Sequence, residues 1–396
     1  MKILVVLPRF PYPLEKGDKL RAYHQIRCLA KNNDVSLFCV SHKPVADKDI
    51  EQLKPYCSSI KVVTPSPITV FFSILRAFFS VDSLQVGGYW NTKKIRMEYL
   101  RFERKQHPDV LYCQMVRTME WVKRSKVPKV LDFQDCLSKN VERRMYKAKG
   151  LKRRMLHYEF KMLRSCEYDA FSIYDAFTII SHPDKDAVPH RRNDEIVVLP
   201  NGVDITHFYP RTCEKQYDVL FCGNMHYPPN IDAALFLAKE IMPLVWKVRP
   251  DITLMLAGAN PVSVVRNLQS DKVEVTGWVE DMSDCYAKSK LFVAPMQIGT
   301  GLQNKLLEAM AMKMPCVTSK LANGALGAED GNQVMIANTP QEYAECILQL
   351  LEYTDKSDKL AQNGYDYVLN KYTWDTYNTE LQRLLNSVVK KVNNNR

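Results

Sequence analysis

Short apolar runs with β propensity alternate with amphipathic helical stretches along this chain of 396 residues, in two successive series. The first series is Ile3 to Leu7, Val35 to Val40, Ile60 to Val63, Val110 to Cys113, Lys129 to Leu131, Ala176 to Ile180 and Ile196 to Leu199. The second is Val219 to Cys222, Thr253 to Ala257, Val273 to Thr276, Leu291 to Ala294 and Pro315 to Thr318. Helical patterns fall between them, over Leu20 to Asn32, Asn91 to Gln106 and a long basic stretch from Lys139 to Ser172. Strands that alternate with helices are joined by crossovers, which give parallel sheets covered on both faces. The fold class is therefore α/β, with two doubly wound Rossmann-like domains. Boundaries are expected at 1–198 and 214–372, with a hinge over 199–213, where Pro200 to Thr212 is rich in turn residues. A C-terminal helical segment fills 373–396, ending in a polar tail. Sheets of this kind bind ligands beyond the carboxyl ends of their strands, so two facing sheets would enclose one cleft.

The segment Leu291 to Ser319 has the pattern of an anion-binding unit: strand, glycine-rich turn, helix, strand. Pro295 ends the strand. Gly299 and Gly301 allow backbone amides to approach and point at a phosphate. Leu302, Leu306, Ala309, Met310 and Met314 follow at helical spacing, which puts the glycines at a helix N-terminus, where the macrodipole favours negative charge. Lys305 lies about one turn in, and Glu308 three residues later offers an acceptor suited to ribose hydroxyls. Together these describe a nucleotide-diphosphate pocket. An ordinary strand-to-helix turn with solvated Lys305 and Glu308 would give the same two glycines.

The longer string KLLEAMAMKMPCV, Lys305 to Val317, resembles the donor-site motif of retaining GT-B glycosyltransferases (glycosyltransferase family 4-like, glycosyl transferases group 1). LPNGVD at Leu199, VLFCGNMHYPPNIDAALFLA at Val219 and VEVTGWVEDMSDCYAKSKLFVAPM at Val273 resemble other parts of its C-terminal domain. PRFPYPLEKGDKLRAYHQIRCLA at Pro8 resembles the N-terminal loop and helix of bacterial sugar transferases of exopolysaccharide and protein-sorting loci. The resemblance implies a GT-B fold with a C-terminal helix, about Trp374 to Val392, crossing back to the first domain. It implies transfer of a sugar from a nucleotide-diphosphate sugar, UDP- or GDP-linked, to an acceptor hydroxyl, with retention and without a metal or other cofactor. The family places two glutamates around the loop. Glu308 matches the second, and Thr300 stands where the first is expected, leaving donor-sugar contacts to Thr300, Gln303 or backbone. Gly223 and Asn224, with the polar Asn230 nearby, occupy a turn where the family often carries a cation for the diphosphate, so Lys305 becomes the main cation. Gln303 and Asn304 are either pocket residues or exposed helix positions.

In the first half, Gly17 falls in the loop after the first strand, where the resemblance implies close approach to diphosphate or acceptor, among Lys16, Asp18, Lys19 and Arg21, one of whose cations would meet phosphate. Asp132 and Asp135 follow the strand Lys129 to Leu131 and are expected at the carboxyl end of the sheet. Asp135 is the first choice to orient or deprotonate the acceptor hydroxyl, with a helix cap as its structural alternative. Catalytic candidates are thus Asp135 and Lys305, His182 being a weaker cleft candidate and His24 a helix residue. A nucleotide-sugar 2-epimerase of the same architecture and a non-catalytic donor-binding protein share these features. A nicotinamide dehydrogenase does not, since no GxGxxG follows the first strand.

The net charge of +11 is uneven: residues 1–195 hold 36 basic and 22 acidic side chains, densest from Lys139 to Arg164. An anionic membrane surface, an anionic saccharide or lipid-linked acceptor, or a solvated helix face would each answer such a patch. No nucleic-acid-binding signature accompanies it. The apolar run Ile68 to Val81 is too short to span a bilayer and carries Arg76. The opening MKILVVLPRF is read as a buried strand, not a signal peptide. Eleven cysteines without metal-ligand spacing suit a reducing compartment, so the expected location is cytoplasmic, with peripheral membrane contact as an option.

Overall fold

The computed structural model describes residues 1–14, 16–146, 148–298 and 302–394, and the chain divides into two compact units. The first comprises Met1–Pro200 and Tyr377–Arg396, the second Asn201–Thr376.

The first unit is built on a parallel seven-stranded sheet of β1 (Lys2–Leu7), β2 (Asp34–Val40), β3 (Ser59–Val63), β4 (Val110–Gln114), β5 (Lys129–Asp132), β6 (Ala176–Ile179) and β7 (Val197–Val198). Their order is β3-β2-β1-β4-β5-β6-β7, which reverses direction between β1 and β4. Val5 sits between Leu37 of β2 and Tyr112 of β4, so the central strand is wholly internal. Side chains alternate across the sheet and divide the core in two. Leu4 and Val6 join Phe38, Leu111 and Leu131 on one face, under Leu163, Ala170 and Phe171 of the helix Gly150–Ile173. Ile3, Val5 and Leu7 join Leu37 and Tyr112 on the other. There they pack under Ala22, Ile26 and Leu29 of the helix Gly17–Leu29 and under Leu381, Leu385 and Val388 of the helix Trp374–Asn394.

The single helix expected over Lys139 to Ser172 is two, Leu137–Tyr146 and Gly150–Ile173. Lys149 between them is extended, with φ −124° and ψ 164°. A glycine inside a crowded run of cations makes continuous helix unfavourable at that point. The carboxylate of Glu167 anchors the start of the first helix, accepting from Ser138 N at 3.0 Å.

The second unit carries a parallel six-stranded sheet of β8 (Tyr217–Cys222), β9 (Leu254–Ala257), β10 (Val273–Gly277), β11 (Ser289–Ala294), β12 (Cys316–Thr318) and β13 (Met335–Ile336), ordered β10-β9-β8-β11-β12-β13. The edge strand β13 is too short for an apolar pattern to reveal. The helix Asn304–Ala311 buries Leu306, Ala309 and Met310 completely, and it ends before Met314 although the apolar spacing runs on. Lys313 takes a left-handed φ of 54°, and Met314 N returns to Ala309 O at 3.0 Å. Glycine relieves that conformation, so Lys313→Gly is expected to raise stability by about 0.5–1 kcal/mol. Urea denaturation checks this, and an unchanged or lower midpoint refutes it.

All eleven cysteines are free thiols, eight of them buried. Among the described residues no helix is long and apolar enough to cross a membrane.

Candidate functional site

Both units present polar side chains where their strands end at the carboxyl side. In the second unit, β8 runs out at Cys222 and the chain turns through Gly223, φ +154°. A Cβ at Gly223 would lie 2.6 Å from Asn230 Nδ2, and one at Gly258, after β9, would overlap the Gly223 carbonyl, so the two turns need both glycines. Asn230, on the helix Pro228–Phe236, ties the site together. Its Nδ2 donates to Asn224 O at 3.0 Å, and its Oδ1 accepts from Lys305 Nζ at 2.6 Å. The Lys305 ammonium lies 4.7 Å from the centroid of the Phe221 ring, and burial pushes its pKa down to about 8. One turn further, Glu308 Oε2 accepts from the hydroxyl of fully buried Tyr286 at 2.8 Å, and burial raises the carboxyl pKa above its ordinary value.

The structure therefore brings Gly223, Asn224, Lys305 and Glu308 into one neighbourhood. Gln303 immediately precedes the helix that carries Lys305, and Asn304 accepts from Asn201 Nδ2 at 3.5 Å. Gly299, Thr300 and Gly301 lie outside the described residues. Asn230 and Tyr286 position the charged pair. The sequence offered the first only as a polar residue near a turn, and nothing in it marked the second.

In the first unit a cavity of about 360 Å³ is lined by Arg9, Gly17, Arg117, Asp135, Asn140 and Arg144, among others. Asp135 Oδ2 accepts from Asn140 Nδ2 at 2.7 Å, while buried Oδ1 has no hydrogen-bond partner among the described residues. Burial, reinforced by the charge of Asp184, pushes the Asp135 carboxyl up to about 6. Arg117 donates to Gln85 Oε1 at 2.7 Å, and burial lowers its pKa to about 10. Arg9 pairs with Asp18 at 2.6 Å. The Arg9 and Arg117 guanidiniums stand 6.0 and 5.9 Å from the Trp90 ring. Arg9 also lines a second cavity of about 440 Å³ with Lys16, Lys19, His42, Lys43 and Tyr89. His42 stacks on Tyr89 at 4.1 Å, and burial followed by the Arg9 charge lowers its pKa, so it is neutral near pH 7. Arg9, His42, Trp90 and Arg117 escaped sequence reasoning. Their one signal is that Arg9, His42 and Arg117 each come shortly after a strand of the first series.

Gly17 is the first residue of the helix Gly17–Leu29, and a Cβ there would meet nothing within 4 Å, so packing does not require the glycine. One expectation is narrowed and one corrected. Arg21 is inside that helix, 1% exposed, and meets no phosphate-accessible space. Asp132 is the buried end of β5, not a cleft carboxylate. Its Oδ2 accepts from Arg21 Nε at 2.6 Å and from Tyr112 at 3.1 Å, and its Oδ1 from Thr178 at 3.0 Å. His24 is buried edge-on to Tyr23, and His182 is exposed at the start of a short helix.

Residues 216–353, which contain the Lys305 site, match the family described as glycosyl transferases group 1. Over 391 residues the chain is 22% identical to an uncharacterized 44.6 kDa protein in the cps region of Klebsiella pneumoniae, covering 94% of this chain and 96% of that protein. Its fold is similar to sucrose-phosphate synthase from Thermosynechococcus elongatus (TM-score 0.70, 13% identity, 99% of this chain and 100% of that one). It is also similar to Anabaena HepE, solved in complex with UDP (TM-score 0.70, 15% identity, 98% and 100%). TarM, solved with UDP and two saccharide ligands in its S. aureus G117R form, superposes with a TM-score of 0.68 at 13% identity over 98% of this chain and 100% of that chain. The protein therefore has a GT-B fold, and residues 216–353 of its second unit match the glycosyl transferases group 1 family.

Proposed function

We propose that the protein transfers a sugar from a nucleotide-diphosphate sugar to a saccharide or lipid-linked acceptor hydroxyl. The observation that carries this reading is the half-buried Lys305 ammonium, held by Asn230 beside the glycine turn at Gly223, within the stretch that matches the group 1 family. Burial lowers the Lys305 pKa in spite of the nearby Glu308, so the ammonium's desolvation is not fully offset, and a diphosphate would supply the further negative charge. In transfer the bond from the anomeric carbon to the diphosphate oxygen breaks and the acceptor oxygen bonds to that carbon. Its proton passes to the departing phosphate, whose charge Lys305 stabilises without a metal ion. Glu308, its free oxygen oriented by the Tyr286 contact, receives the ribose hydroxyls. Retention is supported by the resemblance of the Lys305 to Val317 string. UDP is the first nucleotide to test because HepE, of similar fold, was solved with UDP and with UDP-glucose, and GDP is the second.

The acceptor belongs with the first unit. Asp135, with one unpartnered oxygen in a cavity walled by Arg9, Arg117 and Arg144, accepts a hydrogen bond from the hydroxyl while the arginines hold negative charge on the same molecule. An acidic or phosphate-bearing saccharide fits that lining. Location on the cytoplasmic side, in surface-polysaccharide or glycoconjugate synthesis, is part of the same reading. It is supported by the likeness to a protein of a cps region.

Asp135→Asn tests the acceptor side. With UDP-glucose and GDP-mannose as donors and nucleotide release as readout, turnover is expected to fall roughly 100-fold while nucleotide affinity holds. The parent's rate should rise with pH through about 6 as Asp135 loses its proton, and that limb should vanish in the variant. Parent-like turnover with the limb intact removes Asp135 from the reaction. Conversion of the donor to an epimer with no nucleotide released would replace transfer by epimerisation.

A further inference from the structure

The helix Pro67–Phe79 is packed with its apolar side outward. Its inner stripe consists of the small or slender residues Val70, Ser73 and Ala77, seated against the turn Leu84–Tyr89. Ser73 Oγ donates to Asn91 O at 2.8 Å, and Arg76 reaches Gly87 O at 2.6 Å. At Gly88 a Cβ would come within 3.0 Å of Ile74 Cα, so the two segments are in backbone-level contact and the helix cannot roll. The opposite face exposes Ile68 (69%), Phe71 (62%), Phe72 (61%), Phe78 (54%) and Phe79 (75%). Burying that face would remove five large apolar side chains from water, so leaving it wet is costly.

The apolar face does not stop at the helix. Phe78 touches Tyr158 at 5.9 Å between ring centroids, and Tyr158 shares a helical stripe with Met155 and Leu151, which are 55% and 74% exposed. Tyr158 and Glu159 fasten the two helices together through Asp82 O and Ser83. Around this stripe the same helix exposes Lys152, Arg153 and Arg154, the residue before it Lys149, and the preceding helix Arg143 and Arg144, while Glu159 is buried. Exposed carboxylates are scarce there.

We propose that this surface, Ile68, Phe71, Phe72, Phe78 and Phe79 with Leu151 and Met155 inside a cationic rim, docks the protein on the face of an anionic phospholipid bilayer. Aromatic side chains enter the headgroup and acyl boundary while the cations meet lipid phosphates, as in interfacial amphipathic helices. Charge favours this occupant over a second copy of the chain. A two-fold contact through the same patch would bring the cationic rims toward each other. The inference stands on the first unit's surface alone and is independent of the donor-site reading.

The test is cosedimentation of the full chain with vesicles of pure phosphatidylcholine and of phosphatidylcholine mixed equally with phosphatidylglycerol. Expected is binding to the mixed vesicles that weakens with added salt, and little binding to the neutral ones. Phe71→Ser/Phe72→Ser/Phe79→Ser should cut partitioning roughly tenfold or more, and Arg153→Glu/Arg154→Glu should lower it while sparing any residual neutral-vesicle binding. Circular dichroism and thermal denaturation, read on the same variants, show that the fold is intact. Absence of binding to anionic vesicles, or binding that the triple serine variant leaves unchanged, overturns the proposal. So does a parent dimer that the triple variant converts to a monomer, which would make the face a contact between copies.

Discussion

Lys305→Ala is expected to weaken UDP binding by roughly 10- to 100-fold and to slow sugar transfer by about two to three orders of magnitude. The variant removes the cation that Asn230 Oδ1 accepts from at 2.6 Å, so it also orphans a buried acceptor and loosens the Asn224 turn. Isothermal titration with UDP and single-turnover transfer separate the two effects. Parent-like affinity would remove Lys305 from the donor site. The pH profile gives a second readout. Burial lowers the Lys305 pKa to about 8 in the free protein, while a bound diphosphate favours the ammonium and raises it. Nucleotide binding therefore takes up a proton above about pH 8, and affinity should be level near neutrality and fall as pH rises through 8. Lys305→Arg keeps its charge over the whole range and should flatten that fall. A profile equally steep in the arginine variant would assign the titration to another group.

Lys305 and Glu308 were legible because the whole unit that places them is local: strand, turn and helix follow one another within a single stretch of sequence. Their partners were not. Asn230 is 75 residues from Lys305, and the pairing of β8 with β11 brings them together, while Tyr286 and Glu308, 22 apart, meet from the helices before and after β11. The doubly wound class was readable from alternation, and the twelve expected strands were placed within a residue or two, while β13 was missed. The helix break at Lys149 was missed because the charge pattern on both sides has one character. The run from Ile68 to Val81 showed its apolar content but not which side faced out. That depends on Gly88 lying against Ile74, a contact no periodicity encodes. Arg21 shows the opposite error. Proximity in sequence to Lys16 and Lys19 made it one of three cations of which one was expected to meet phosphate, yet its side chain turns into the core, toward a carboxylate 111 residues away.

That buried pair carries the largest stability effect expected here. Arg21 and Asp132 are 1% and 0% exposed, joined at 2.6 Å by Nε and Oδ2 and at 3.2 Å by Nη2 and Oδ1. Arg21 Nη1 also donates to Leu199 O at 2.8 Å, stitching the helix Gly17–Leu29 to the chain leaving β7. Removing one partner strands the other charge in the core, which costs about 3–5 kcal/mol. Asp132→Ala and Arg21→Met should each do so, lowering the unfolding temperature of the first unit by roughly 6–20 °C. Replacing a buried ion pair by apolar side chains can restore stability elsewhere, but the double variant Arg21→Met/Asp132→Leu should not recover the parent here. Asp132 also accepts from Tyr112, Thr178 and the Gln134 amide, and all three donors would remain buried without it. Thermal denaturation of the four proteins, followed by circular dichroism, decides the matter. A double variant as stable as the parent would mean that the carboxylate serves Arg21 alone. Singles within about 1 kcal/mol of the parent would mean that water reaches the pair.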